Sequence, residues 1–424
     1  MRENSGLRSS VKPMNRVLVI GGGPAGMMAA ISAAEAGCEV TLFEKNEKLG
    51  KKLYLTGKGR CNLTNEADIS DFFAEVARNP KFLYSAFYGF DNRAVQDFFS
   101  EKCRVPLKTE RGGRIFPVSD HSSDIIRALE KELTRLGVAI RLHSPVSLIE
   151  RDAGGFRIVT GKETVFGETI VLATGGCSYP TTGSDGTAFA LAESLGHTVT
   201  RLFPSLVPIV TAERFPERLA GLTLKNVTLS VYDGKKELCS EFGELLFTHT
   251  GISGPIALKC SCKAAPALTE GKTLSMRLDL KSALSEEKLT ERILREIEAT
   301  PNQELKSLMP RLLPKSLGEV LLEAAGLPGE TRLHSLTKEM RCTLIRCLKA
   351  FPMTAKGTAG FKEAIITNGG IPVKEINPAT MESKVVPGLF FAGEMIDCDA
   401  HTGGYNLQIA WSTGHLAGES CSGK

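Results

Sequence analysis

The sequence predicts an α/β protein in which a Rossmann-like parallel-sheet domain is interrupted by a small β domain that carries a helical insertion. Three observations predict it: residues 16–44 read strand, glycine turn, helix, strand; residues 202–280 switch to short alternating segments; residues 285–346 switch again to helical periodicity. At 424 residues the chain is long for one core, and a norm of ~100 to 200 residues per domain gives two or three.

Arg16 to Ile20, "RVLVI", is a short apolar run that flows into "GGGPAG". The following "MMAAISAAEAG" carries small and apolar residues at helical spacing and stops at Gly37, before the buried strand text "CEVTLFEK". "SSDIIRALEKELTRLG" predicts a helix leading into the strand "VAIRL", and "GFRIVTG" with "ETIVLATGG" predicts a hairpin followed by another buried strand. Beyond Leu202, "LTLKNVTLSVYDG", "KELCSEFGELLFT" and "TLSMRLDL" alternate as strands of a separate β domain. "SEEKLTERILREIEA" and "KSLGEVLLEAAGL" then space their apolar residues three and four apart, with prolines at the breaks. "GLFFAGEMIDC" returns to the text of a nucleotide-binding sheet, and a helix opens at about Asn406.

Hydrophobic content of 42% and charged content of 24% exclude disordered, fibrous and membrane classes, while 42 glycines suggest loops that cradle a ligand. The net charge of +4 is dispersed along the chain, so a nucleic-acid partner is not expected. Residues 1–14 are polar and lack the apolar centre of a signal peptide; they read as a disordered tail, or Met14 is the true start. No run approaches the ~18 apolar residues of a membrane helix, which predicts a cytoplasmic protein. An odd count of 11 cysteines with irregular spacing predicts free thiols. Cys260 with Cys262, and Cys342 with Cys347, lack metal-ligand spacing and read as packing thiols, so no metal site is expected.

Chemistry concentrates in three glycine-rich turns. Gly21, Gly23 and Gly26, with Pro24 and Ala25 between them, stand in GxGxxG spacing after a strand and before a helix. Such glycines permit a tight turn, let pyrophosphate approach the backbone and allow helix and sheet to pack closely, while the helix start offers free amides. Glu44 ends the next strand, followed by Lys45, where a carboxylate accepts hydrogen bonds from an adenosine ribose. That leaves FAD and NAD both open. The strand ending in Ala173, Thr174, Gly175 and Gly176 favours FAD, because its small residues let the chain pass beneath the cofactor. In the third turn a strand delivers Gly393, Glu394 and Asp397, then Gly403 and Gly404 open the last helix. The Asp397 carboxylate suits a ribityl hydroxyl, and a helix start aimed at the pyrimidine edge of a flavin stabilises the charge that reduction places there.

"GGGPAG" with its strand-end acid, "GKGRCNLTN", "GGRIFPVSD", "ATGGCSYPTTGSDG" and "AGEMIDCDAHTGGYNLQIAWSTG", in that order, resemble the BaiN/RdsA family of FAD-dependent oxidoreductases, which includes aminoacetone oxidase-like flavoproteins. The resemblance spans nearly all of the chain after the first 14 residues. It implies a discontinuous FAD domain of the two-dinucleotide-binding-motif type, with a β-barrel-like domain and a helical insertion. The expected boundaries are 15–201 and 376–424 for the FAD domain, 202–284 and 347–375 for the β domain, and 285–346 for the insertion.

In such a fold "LTGKGRCNLTN" would wrap the cofactor: Gly57 and Gly59 free backbone amides, Arg60 and Asn62 hold pyrophosphate or ribityl oxygens, and Cys61 sits near the isoalloxazine without a partner for dithiol chemistry. Val146, Tyr405, Asn406 and Leu407 complete the implied cofactor positions. Candidate catalytic residues are Tyr405 and His401, which flank the glycine pair, and Arg114, expected to face the cavity and pair with an anionic group; His249 is a weaker candidate.

No second GxGxxG follows a later strand, so reduced NAD(P)H is expected as a transient electron donor without a domain of its own. The resemblance implies hydride delivery from flavin to a small-molecule enone, with the conjugated double bonds of 3-oxo bile-acid intermediates of gut bacteria as the leading substrate class. Aminoacetone-type amine oxidation with oxygen is the alternative enzyme. A flavin-containing sensor or binding protein, docking partners through its helical insertion, is the alternative of another class.

Overall fold

The computed structural model describes residues 15–423, so the expected tail at 1–14 lies outside the described residues. The chain divides into two compact units, one made of the residues up to Leu202 together with those from Gly369 onward, the other of Phe203–Asn368.

The first unit is built on a five-stranded sheet in the order Leu389–Phe391, Thr169–Leu172, Arg16–Ile20, Glu39–Phe43, Ala139–Arg141. Every pairing in it is parallel. Parallel strands need cover on both faces, and Val17, Val19, Leu42, Ile170, Val171 and Phe391 are buried without alternation. Helix Pro24–Glu35 is the crossover between the first two strands. Against it lies the last helix, Tyr405–Ser420, at a closeness only glycine allows: a Cβ on Gly414 would stand 2.4 Å from Ala25 O, and one on Gly418 2.3 Å from Ala29 O.

The stretch expected as a hairpin is a three-stranded antiparallel sheet, Val146–Asp152, Gly155–Thr160 and Thr164–Gly167, because Thr164 to Gly167 pairs back onto Phe156 to Val159 before the buried strand begins. Residues 369–375, read from sequence with the β domain, belong to the first unit: Ile371 is fully buried in its core and its N–H donates to Met395 O at 2.8 Å.

The second unit holds a closed barrel in the order Ile209–Thr211, Gly251–Ser253, Lys236–Phe247, Thr223–Asp233, Leu274–Asp279, Phe351–Thr358. Leu274, Met276 and Leu278 face inward and alternate with outward residues, the period of a sheet with one buried face. Helices Glu286–Ala299, Leu305–Leu312, Lys315–Ala325 and Lys338–Lys349 occupy the stretch of helical periodicity. Ser285 and Thr337 cap the first and last of them by accepting from Lys288 N and Met340 N. These helices share one core with the barrel, since Leu289, Leu317 and Leu348 join Leu278 and Phe351 in a single cluster.

Candidate functional site

The first glycine turn is crowded on one side and open on the other. Gly21 has φ 109°, its N–H donates to Phe43 O at 2.8 Å, and a Cβ on it would stand 2.5 Å from Ala173 O. A Cβ on Gly26 would overlap Gly21 O at 1.9 Å, whereas one on Gly23 would meet nothing within 4 Å. Helix Pro24–Glu35 begins there with proline in its first turn and no capping side chain, so its initial amides face the open side, beside the buried Ala25. Glu44 is buried at the rim; its Oε2 accepts from Gly22 N at 2.8 Å and its Oε1 from Asn46 N at 2.8 Å. Lys45 pairs with Asp185 at 2.8 Å.

The segment "GRCNLTN" docks on the start of the last helix, a pairing that no sequence pattern announced. Asn62 bonds Gly404 N through its amide oxygen at 2.9 Å and Thr64 O through its amide nitrogen at 3.2 Å. Thr64 Oγ1 donates to Gln408 Oε1 at 2.6 Å, Asn65 Nδ2 to Gly403 O at 3.1 Å, and Trp411 Nε1 to Leu63 O at 3.0 Å. A Cβ on Gly404 would sit 2.4 Å from the Thr64 backbone, so the glycine is demanded by this contact. Upstream, the chain reverses through left-handed Gly57 (φ 58°), Lys58 (φ 59°) and Gly59 (φ 85°).

The remaining expectations for this segment meet different surroundings. Arg60, expected on phosphate or ribityl oxygens, is already engaged by Glu110 at 2.8 Å and Asp120 at 3.3 Å and lies 4.2 Å over the Phe116 ring. Cys61 is fully buried, and burial pushes its thiol up to about 12, which removes it as a nucleophile at neutral pH.

Beyond the last strand the burial pattern changes twice. Residues 395–400 are buried, 401–407 are all partly exposed, and 408–414 are buried again. A partly exposed segment between two core runs stays accessible while both its ends are anchored in the interior. It contains His401, Gly404, Tyr405, Asn406 and Leu407. Residues 75–79 strap its approach: His401 N donates to Glu75 O at 2.8 Å, His401 Nδ1 bonds Glu75 Oε2 at 3.1 Å, and Asn79 Nδ2 donates to Asp397 O at 2.6 Å.

Asp397 is buried, which raises its carboxyl above the usual range against the opposing pull of Arg78. Arg78 Nε stands 2.6 Å from Asp397 Oδ1, yet that oxygen makes no directed hydrogen bond. Tyr405 heads the last helix with its ring edge-on to Phe72 at 4.9 Å; burial, with Glu75 and Asp71 nearby, pushes its phenol up to about 12. Asn406 ties the segment to itself, its Oδ1 accepting from Ala400 N at 2.9 Å.

Ala173 is buried under the first turn, Thr174 Oγ1 contacts Met395 Sδ at 2.9 Å, and Gly175 and Gly393 take φ 81° and 69°. Glu394 belongs to a cluster that sequence reasoning missed: Lys52 Nζ reaches both Ser178 Oγ and Glu394 Oε2 at 2.6 Å, and Ser178 Oγ donates to Glu394 Oε1 at 2.6 Å. Their wide separation in sequence hid it, as it hid Arg78 beside Asp397. Arg114 lies with 43% of its side chain exposed and donates from Nε to Arg111 O at 3.1 Å, and Val146 is half-buried at the start of its strand. His249 is exposed in the second unit.

Ser383, His197 and Glu375 also line up, with His197 Nε2 2.8 Å from Ser383 Oγ and His197 Nδ1 2.9 Å from Glu375 Oε2. This is not a hydrolytic triad: Ser383 is buried, and its oxygen accepts from Val385 N and Val386 N at 3.0 and 2.7 Å.

The residues fit an FAD. Gly23 leaves space where its neighbours leave none, and the buried Ser184 Oγ lacks a hydrogen-bond partner, as a group awaiting a polar ligand does.

The model of the HI0933-like protein Rossmann domain matches residues 15–420. The 3-dehydro-bile acid delta(4,6)-reductase of Clostridium scindens is 33% identical over 413 residues, 96% of this chain and 99% of that protein. The ribosomal RNA dihydrouridine synthase of Haemophilus influenzae is 32% identical over 411 residues, 96% of this chain and 98% of that protein. Among solved structures, 3-ketosteroid delta1-dehydrogenase from Sterolibacterium denitrificans shares the fold at a TM-score of 0.50 and 14% identity, over 97% of this chain and 100% of that one.

Proposed function

From the premise that the chain belongs to the HI0933-like protein Rossmann-domain family and is an FAD-dependent oxidoreductase, we propose that it reduces carbon–carbon double bonds conjugated to a carbonyl. The first substrate class is the 3-oxo, unsaturated steroid acid of the bile-acid type. The observation that carries the reading is the partly exposed segment 401–407 between buried runs, which leads into the start of the last helix and follows the buried, Arg78-paired Asp397.

The bile-acid reductase and the dihydrouridine synthase name one chemistry. A delta(4,6) bond in a 3-dehydro steroid is conjugated to the C3 carbonyl, and dihydrouridine is uridine with the ring double bond next to its C4 carbonyl saturated. Amine oxidation and a purely sensory flavin gain no support from either relative.

In this reading the backbone amides of Gly23, Ala25 and Gly26 would hold the pyrophosphate, Glu44 the ribose, and Asp397 the ribityl chain. FAD, once bound, supplies the hydride for the β-carbon. The amides at the head of helix Tyr405–Ser420 would stabilise negative charge on a bound flavin, and Arg78 keeps Asp397 aligned. Tyr405 is neutral at physiological pH and offers a proton for the α-carbon, while His401, held by Glu75, orders the mouth. Reduced NAD(P)H visits the same face as electron donor.

A second substrate, the uracil ring of RNA, is favoured by the dihydrouridine synthase, which matches this chain at nearly the same identity over nearly its whole length. The dispersed net charge of +4 argues against a broad phosphate-binding surface and does not bear on a single base entering a cleft.

The test is anaerobic. Enzyme with dithionite-reduced flavin is mixed with a 3-oxo-4-ene bile acid and, separately, with uridine-containing RNA; reoxidation with formation of the saturated product identifies the substrate. A flavin that stays reduced with both would sink the proposal.

A further inference from the structure

We propose that Cys239 and Cys260, in the second unit, are a peroxide-reactive thiol pair that closes to a disulfide. The sequence hides this pair. Cys262, the cysteine nearest Cys260 in sequence, contacts Ser205 Oγ at 3.2 Å and Leu258 O at 3.6 Å instead.

Strand register brings the real pair together. Cys239, on strand Lys236–Phe247, lies directly opposite Val231, which is fully buried, and opposed residues of an antiparallel pair share a face. Cys239 therefore looks into the core, where it packs against the cluster that contains Cys260. Cys260 comes from helix Pro255–Thr269, and its Sγ lies 3.8 Å from Leu229 O on the same neighbouring strand as Val231. The Cys260 and Cys239 sulfurs lie within hydrogen-bonding reach of each other.

The two sulfurs are chemically unequal. The contact with Cys260 lowers the Cys239 thiol against the opposing effects of burial and Glu241, with Lys259 and Lys263 adding to the lowering, while the same contact and burial push Cys260 up. Burial drives other thiols upward, Cys61 to about 12 and Cys103 and Cys177 to about 11. Cys239 is half-buried whereas Cys260 is fully buried, so Cys239 is the more reachable of the two thiols although it faces inward.

The chemistry needs one hydroperoxide. Cys239 thiolate attacks the terminal oxygen; an S–O bond forms, the O–O bond breaks, and the alkoxide or hydroxide leaves with a proton. Cys260 sulfur then attacks the sulfenic sulfur, the S–S bond forms, and the S–O bond breaks; hydroxide leaves and takes the Cys260 proton as water. Two thiols are oxidised and the peroxide is reduced. The bond pins helix Pro255–Thr269 to strand Lys236–Phe247 and closes the loop containing strand Gly251–Ser253.

The test treats the flavin-loaded full chain with hydrogen peroxide, alkylates remaining thiols under denaturing conditions and maps peptides by mass spectrometry. The expected result is simultaneous loss of free Cys239 and Cys260 with appearance of a peptide linking them, absent in Cys239→Ser. In Cys260→Ser, a dimedone adduct should accumulate at Cys239. Should Cys260→Ser fail to fold, the wild-type map together with Cys239→Ser decides. Both thiols remaining alkylatable at a peroxide dose that oxidises the exposed Cys342 would overturn the proposal, as would linkage of either to another cysteine.

Discussion

The two units are held together by different physics. In the first, glycines are set where a single Cβ would strike backbone: Gly26 against Gly21 O, Gly404 against Thr64, Gly418 against Ala29. Its interior also contains polar side chains, among them Thr64, Asn65, Gln408 and Ser412, tied by hydrogen bonds across long sequence separations. In the second unit the core is aliphatic, with Leu278, Leu289, Leu305, Leu317, Leu321 and Leu348 filling the space between barrel and helices. Close backbone approach occurs in both units, since a Cβ on Gly251 of the second would stand 2.1 Å from Ile209 O; what differs is the interior, polar and bonded in the first and filled by leucine volume in the second. A fold that must leave room for a large polar cofactor needs the first kind, because packing alone would close the cleft.

Substitutions can break this contrast or sharpen it. The largest effect is expected from Gly26→Val, which forces a side chain into Gly21 O and costs more than the ~3 kcal/mol usual for overpacking, since backbone cannot yield. The purified variant should retain no FAD, while denaturant unfolding of the second unit is unchanged. Leu278→Ala should do the reverse: truncation of a fully buried side chain costs about 2 to 5 kcal/mol in a urea melt. The surviving folded chains should keep a full complement of FAD. If Leu278→Ala empties the cofactor site, the units are not independently specified.

Tyr405→Phe separates chemistry from packing. Loss of a general acid lowers turnover by about 100-fold, with FAD affinity kept. A proton donor acts only below its own pKa, and burial has raised this one to about 12, so the wild-type rate should stay level as pH passes 10. A falling limb near 10 would assign the proton to another group. The smallest change is expected from Thr64→Val, which leaves the buried Gln408 Oε1 without its donor and costs about 1 to 3 kcal/mol. Because that bond joins "GRCNLTN" to the last helix, flavin release on heating should occur earlier than global unfolding.

What was legible in the sequence is what local geometry compels. Gly21 and Gly26 betray a turn pressed against backbone, the run "RVLVI" betrays a strand buried on both faces, and alternation in "TLSMRLDL" betrays one buried on a single face. The helices of 286–349 were legible from spacing, whereas their fusion into the barrel core was not, since periodicity shows that a face is apolar without showing what covers it. The boundary near 369 was misplaced for a related reason: Ile371 is held by Met395, and no pattern in the β-like text announces that bond.

Within the site, long-range pairing was invisible. Arg60 reads as a free cation until Glu110 and Asp120 are seen to hold it, and Lys52, Ser178 and Glu394 read as unrelated until the fold brings them within 2.6 Å. Charged residues in glycine-rich loops carry no local mark that separates ligand contact from structural ion pairs.

The account rests on one cofactor cradled by turns that lie far apart in the chain, and flavin content measures that directly. The purified protein, denatured to release its cofactor, should yield FAD at one molecule per chain. Material that yields none, and takes up none when incubated with FAD and desalted, would contradict it.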